Sequence, residues 1–243
     1  MNFISVNIIN SIINMAFNNT INTFKINHPE WIIEDRIGDE GKDGLAYIVK
    51  HKTKPGLDAV VKFFKNKKSV NMIKREFDFL EKCSNSGISP KIYQDNIDGK
   101  RYFIMDRLEA TLREYIDEKK WLGLQDIKQI ISLYTILGEL GIWHNDSNIL
   151  RNIMIKGDRF YLIDFGMANE INLKIKKNYG PNPNFMLLPK LFKFIKNLNV
   201  KGYLRKIIDD YECKYNVCID FQNKMENTHQ LRLQILLDRI KKK

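Results

Sequence analysis

Cysteine is scarce in this chain of 243 residues: Cys83, Cys213 and Cys218 are the only three, and none lies in a Cys-x-x-Cys pair. So few thiols exclude a disulfide framework and point to a reducing, intracellular setting. That setting is the cytoplasm, or the host cytoplasm or virion if the chain is viral. Long apolar runs are also missing. No stretch approaches membrane-spanning length, so no membrane partner is expected. Positive charge is nearly absent from the opening: the first thirty residues hold eight Asn and seven Ile, but Lys25 is their only Lys or Arg. A secretory signal opens with positive charge before an unbroken apolar core, and this segment has neither. Residues 1–28 read as a poorly ordered extension. The last absence is a basic stripe interleaved with aromatics, without which single-stranded nucleic acid is not indicated as a partner.

What the chain has is an apolar share of 44% and an aromatic share of 11%, enough for a folded core. Lys+Arg number 40 against 29 Asp+Glu, a net charge of +11. That surplus suits an anionic partner such as a nucleotide or an acidic protein surface. The basic residues are dispersed, in Lys65/Lys67/Lys68, Lys119/Lys120, Lys174/Lys176/Lys177, Lys190/Lys193/Lys196 and Lys241 to Lys243. Clusters of this kind read as solvated surface.

The pattern is β-rich first and helical later. Residues 45–49 and 59–64 read as strands around a Lys54-Pro55-Gly56 turn. Residues 69–83 predict a helix with Val70, Ile73, Phe77 and Leu80 on one stripe. Short strands are expected near Ile92-Tyr93 and over 102–105, then helices over 112–116 and 127–140. A hairpin pairs 153–155 with 160–163, and helical spacing returns with Leu188, Leu191, Phe192 and Ile195 and again with Leu231, Ile235, Leu236 and Ile240. The fold class is α+β and bilobal, with a β-rich N-lobe over about 29–106 and a shortened α-rich C-lobe over about 107–243.

Three groups of residues carry chemistry. Gly38, Gly41 and Gly44 lie between two strands, where glycine lets backbone N–H groups approach phosphate. A turn between strands explains them equally well. Lys62 ends Ala59-Val60-Val61-Lys62, and a strand holds a cation more rigidly than a loop does. Fourteen residues on, Glu76 sits in the predicted helix where it can aim that ammonium; Glu81 competes for the role. The third group joins His144-Asn145-Asp146 to Asp164-Phe165-Gly166. The two carboxylates flank the predicted hairpin, which brings its ends together, and phosphoryl transfer needs both a carboxylate near the attacking hydroxyl and oxygen ligands for Mg²⁺.

This set resembles the protein-kinase-like superfamily over roughly residues 31–168. The resemblance implies ATP and Mg²⁺ (or Mn²⁺) as cofactors and a Ser/Thr protein kinase acting on a protein substrate. By the same resemblance, Lys62 holds the α/β-phosphates, Glu76 orients it, and Asp146 takes the proton of the acceptor hydroxyl. Asn152 and Asp164 bind metal, and His144 braces the catalytic loop. Gly38, Gly41, Gly44, Ala46 and Ala59 border the nucleotide, as does Met105, with Asp106 to Leu108 as the hinge. Departures are evident. The glycine spacing is longer at its first step, and Asn145 stands where an arginine is usual. Asn152 follows Asp146 by six residues where the family has five, and no Ala-Pro-Glu follows Gly166. The extra residue is placed inside the loop, which keeps Asn152 as ligand. Asn148 falls nearer the position where the family carries a lysine facing the transferred phosphate. The chain is thus similar to small atypical kinases, including the compact kinases of large DNA viruses. Two alternatives stand beside this reading. One is a pseudokinase scaffold. The other is a small-molecule kinase of the aminoglycoside or choline type, which usually carries a helical insert that this length does not permit.

Overall fold

The computed structural model describes residues 19–38, 44–93, 97 and 99–219. The Gly41 reading and the helix expected around Leu231 to Ile240 lie outside the described residues. The fold is mixed α+β, and the chain divides into two compact units. The first comprises residues up to Ala110 together with Asn152–Ala168, and the second comprises Thr111–Arg151 and the chain from Asn169 on.

The first unit is built on a four-stranded antiparallel sheet in the order β1 (Trp31–Ile37), β2 (Gly44–His51), β3 (Asp58–Phe64), β4 (Tyr102–Asp106). Alternation along β3 sends Ala59, Val61 and Phe63 into a core shared with Val49, Tyr102 and Ile104. That core also takes Phe24, fully buried, from a helix, α1, over residues 19–27. The extension expected over 1–28 is therefore ordered in its last part. Phe24 stacks edge-on against Phe63 and Tyr102, at 5.5 and 5.2 Å between ring centroids, and this packing supplies the order that its Asn-rich surroundings do not suggest.

Helix α2 (Val70–Asn85) begins at Ser69, whose side chain accepts a hydrogen bond from the Met72 N–H. It buries Ile73, Glu76, Phe77, Leu80 and Cys83 on its inner face. Val70, expected on that stripe, is instead about half exposed. Near Ile92 there is a single bridge to Met105 in place of a full strand.

The hairpin of β7 (Ile153–Lys156) and β8 (Arg159–Leu162) has the expected antiparallel register, Ile153 opposite Leu162. It does not follow the sequential boundary near Asp106. Ser89 Oγ donates to the Leu162 carbonyl at 2.8 Å, Leu162 N–H to Ile88 at 2.8 Å, and Glu109 N–H to Ile155 at 2.8 Å. These bonds tie the hairpin to the first unit.

From β5 (Ala110–Thr111) the chain enters the second unit: α3 (Leu112–Lys119), α4 (Leu124–Glu139), β6 (Ile142–Trp143), α5 (Ile149–Asn152, its last residue in the first unit), β9 (Asn169–Glu170), α6 (Leu173–Tyr179) and α7 (Leu198–Tyr215). β6 pairs with β9, Trp143 opposite Asn169. The segment Pro183–Phe194 is a 3₁₀ helix rather than the α-helix its spacing predicted. Pro189 within it has no N–H to donate to an α-helical ladder, while Leu188 and Leu191 are still buried. Among the described residues, no helix is long and apolar enough to cross a membrane.

Candidate functional site

Lys62 stands on β3 with neighbours on both sides, Ala46 on β2 and Phe103 on β4. A central strand leaves its backbone no freedom, so the ammonium is aimed by the side chain alone. Nζ lies 2.6 Å from Glu76 Oε1 and 3.0 Å from Asp164 Oδ1. Glu81, the competing carboxylate, is not among the hydrogen-bond partners of Lys62. Burial by itself would lower the Lys62 pKa, but the charges of Glu76 and Asp164 outweigh it and hold the group above its ordinary value. The lysine is therefore a permanent cation.

Asp164 has a left-handed backbone, φ 61°, ψ 69°, and leads into a 3₁₀ turn over Phe165–Met167. A non-glycine residue in this region carries a conformational cost, and its surroundings must hold it there. Phe165 is buried, whereas the Asp164 side chain is 47% exposed. The fold thus anchors the turn by its aromatic ring and presents the carboxylate outward.

Above Lys62 opens a cleft of about 220 Å³, wholly within the first unit. Its walls are apolar, with Leu45, Ala46, Leu80, Phe103 and Met105, and Lys62, Glu76 and Asp164 gather on its polar side. Gly44 also lines it. A Cβ there would lie 2.0 Å from the Phe63 carbonyl oxygen, so the β2–β3 pairing itself demands glycine. Gly38, Ala59, Asp106 and Leu108 were expected at the cleft and are not among its lining residues. Ala59 is fully buried in the sheet core, and Asp106 is engaged by the Tyr93 hydroxyl and, at 3.3 Å, by Lys156.

Asn152 is buried, and its backbone carbonyl accepts a hydrogen bond from Ile163 N–H at 2.9 Å. This pins it across from the residue that precedes Asp164. Its Nδ2 is buried with no hydrogen-bond partner among the described residues. Just upstream, Ile149–Asn152 wind into a single helical turn.

In the second unit, Asp146 follows Asn145, whose φ is 56°. Asparagine tolerates this left-handed region better than most residues, which gives a backbone reason for Asn145 to stand there. Asp146 Oδ1 accepts from the Asn148 N–H at 2.9 Å, an Asx turn that fixes the carboxylate. Asn148 in turn starts α5, its carbonyl accepting from Arg151 N–H. His144, almost fully buried, donates its backbone N–H to Asn184 Oδ1 at 2.9 Å, and Asn184 Nδ2 donates to the Ile142 carbonyl at 2.8 Å. A cavity of about 280 Å³ is bordered by Ser147, Asn148, Lys190, Lys193 and Phe194.

Neither a protein-family model nor a curated protein matches the chain.

Three contributors escaped the sequence reading. Lys68, grouped with solvated surface lysines, is 2% exposed in its side chain and lies 2.6 Å from Glu76 Oε2. Asn184, fully buried, splints the segment ahead of Asp146; in so asparagine-rich a chain nothing marked it out. Lys190 was also read as surface, yet its Nζ donates to the Ser147 carbonyl at 2.9 Å. Burial holds its pKa below the ordinary value, with the Asp146 charge opposing.

Proposed function

We propose that the chain is a bilobal, protein-kinase-like enzyme that uses ATP to phosphorylate Ser or Thr of proteins. The observation that carries this reading is the convergence of Lys62, Glu76 and Asp164, from a strand, a helix and a turn, at 2.6 and 3.0 Å on the polar side of an apolar-walled cleft. A nucleotide is the ligand that matches: a flat apolar ring system with a polyanionic tail. The base would lie against Ala46 and Met105, and Lys62 would meet the phosphates. Asp164 and Asn152 offer the hard oxygen ligands that Mg²⁺ takes alongside phosphate oxygens and water, so the donor set fits. Bound there, Mg²⁺ would neutralise charge on the phosphates. Asp146 would accept the proton of the acceptor hydroxyl.

The surroundings of Asp146 support a protein acceptor of acidic character. Lys190 and Lys193 border its neighbouring cavity, and a polycationic acceptor such as an aminoglycoside would meet repulsion there.

The test is transfer of the ATP γ-phosphate, by purified protein, to a Ser peptide flanked by Asp/Glu and to its Lys-flanked counterpart. The acidic peptide should be preferred. Asp146→Asn should lose at least about a hundredfold in rate, the scale of a general base, while ATP binding is retained. Transfer undiminished in Asp146→Asn would overturn the assignment of that residue. Nucleotide binding without transfer to either peptide would favour the pseudokinase reading.

A further inference from the structure

The buried carboxylate of Glu76, beside the cleft, is met by two lysines where one would neutralise it. Glu76 is 1% exposed in its side chain and is already paired with Lys62 through Oε1; Lys68 takes Oε2 at the same 2.6 Å. Removing an ammonium from water costs several kcal/mol even with a partner, so a lysine is a demanding residue to bury. The fold nevertheless provides for it. Arg101 Nη2 donates to the carbonyls of both Lys65 and Lys68, holding the loop that delivers Lys68. The Phe64 ring lies under both ammonium groups, 5.3 Å from Lys62 Nζ and 4.9 Å from Lys68 Nζ. Gly166 lies close by: a Cβ there would make tight contacts, 3.2 Å from Glu76 Oε2 and 3.3 Å from Lys68 Nζ.

What the second lysine supplies follows from the charges. With Lys62 alone, the buried Glu76 carboxylate would hold that ammonium tightly, because drawing it away would leave an unpaired buried charge. With Lys68 in place, Glu76 stays neutralised whatever Lys62 does. Two cations share the buried Glu76, so beyond that shared carboxylate Lys62 is balanced only by Asp164, whose side chain is 47% exposed, and not by a second buried charge.

We propose that Lys68 is a positioning residue that neutralises Glu76 and so frees Lys62 to bind the polyphosphate tail of the nucleotide. The proposal rests on the nucleotide reading above and adds a residue to it. It makes a specific demand: Lys68 should matter for phosphates and not for the base, and it should cease to matter once Glu76 carries no charge.

The experiment is equilibrium binding of ATP, ADP and adenosine, by calorimetry, to the full chain and to Lys68→Met, Lys68→Arg and Glu76→Gln/Lys68→Met. Lys68→Met should weaken ATP and ADP by about tenfold, the scale of one charge-assisted contact, and leave adenosine unchanged. Lys68→Arg should retain most of the affinity. The double variant removes both charges of the second pair, leaves no orphaned ion, and should recover at least part of the lost affinity. It also serves as the folded comparison if Lys68→Met alone does not fold. A loss in Lys68→Met that extends equally to adenosine, or that the double variant fails to relieve, would show a purely structural lysine and overturn the proposal. Unchanged ATP affinity in Lys68→Met would do the same. If the unaltered chain binds none of the three ligands, the nucleotide reading falls and this one falls with it.

Discussion

Asn145 and Asp164 share a backbone state that side chains seldom adopt, with φ of 56° and 61°. Each adjoins or is a residue on which the proposed chemistry depends, and strain of this kind persists only where the surroundings over-determine it. For Asn145 the consequence is measurable. Replacing it by Ala, which lacks asparagine's tolerance of this region, should cost about 1 kcal/mol, whereas Gly should be nearly neutral. Urea denaturation of the two variants compares them directly. An equal loss in both would mean that the side chain, and not the φ angle, is what matters. An arginine at this position would face the same backbone penalty.

At the scale of elements, the segment ahead of Asp146 is held by a chain of asparagines. Asn182 Nδ2 donates to the Tyr134 carbonyl on α4 at 2.8 Å, its Oδ1 accepts from Asn184 Nδ2 at 3.0 Å, and Asn184 Oδ1 accepts from His144. Gly138, near the end of α4, makes room for this, because a Cβ would lie 2.4 Å from Asn182 Cγ. Helix propensity alone predicts that Gly138→Ala stabilises α4 by up to about 1 kcal/mol. We expect a loss of about 1–3 kcal/mol instead, the usual cost of overpacking, accompanied by reduced phosphoryl transfer. The check is a pair of urea melts. In an Asn182→Ala background, which removes the obstructing group, Gly138→Ala should turn neutral or stabilising. If it destabilises equally in both backgrounds, the clash is elsewhere.

For the molecule as a whole, the three cysteines report on the two units separately. Cys83 is buried on α2 of the first unit, and desolvation pushes its thiol up to about 12. Cys213 and Cys218 are exposed in the second. In native protein, Ellman's reagent should therefore modify two thiols quickly and spare the third until the first unit opens. Three fast thiols would contradict the burial of Cys83. The same raised value sets a pH dependence. Between the ordinary thiol value of 9.0 and about 12, the unfolded chain ionises Cys83 and the folded chain does not. Stability conferred by the neutral thiol is full below that window and is lost as pH rises through it. Cys83→Ala should flatten that alkaline decline.

Local pattern determined much of this protein. Short apolar runs over 45–49 and 59–64, separated by a Lys54-Pro55-Gly56 turn, read as strands, and β2 and β3 appear there. Helical spacing marked α2, and residue type with spacing singled out Lys62, Glu76 and Asp164, which the fold brings together. Tertiary structure decided what depends on residues far apart in the chain. Ser89 and Leu162 are joined across 73 positions, and that bond helps assign the β7–β8 hairpin to the first unit. No local pattern contains it. Lys68 reads as a surface residue because a lysine in a basic cluster nearly always is one. Its burial rests on the approach of Glu76 and on the hold of Arg101 on the loop that carries it. A sequence specifies periodicity and chemical type directly, whereas the burial of a charge is settled by the partners that the fold brings to it.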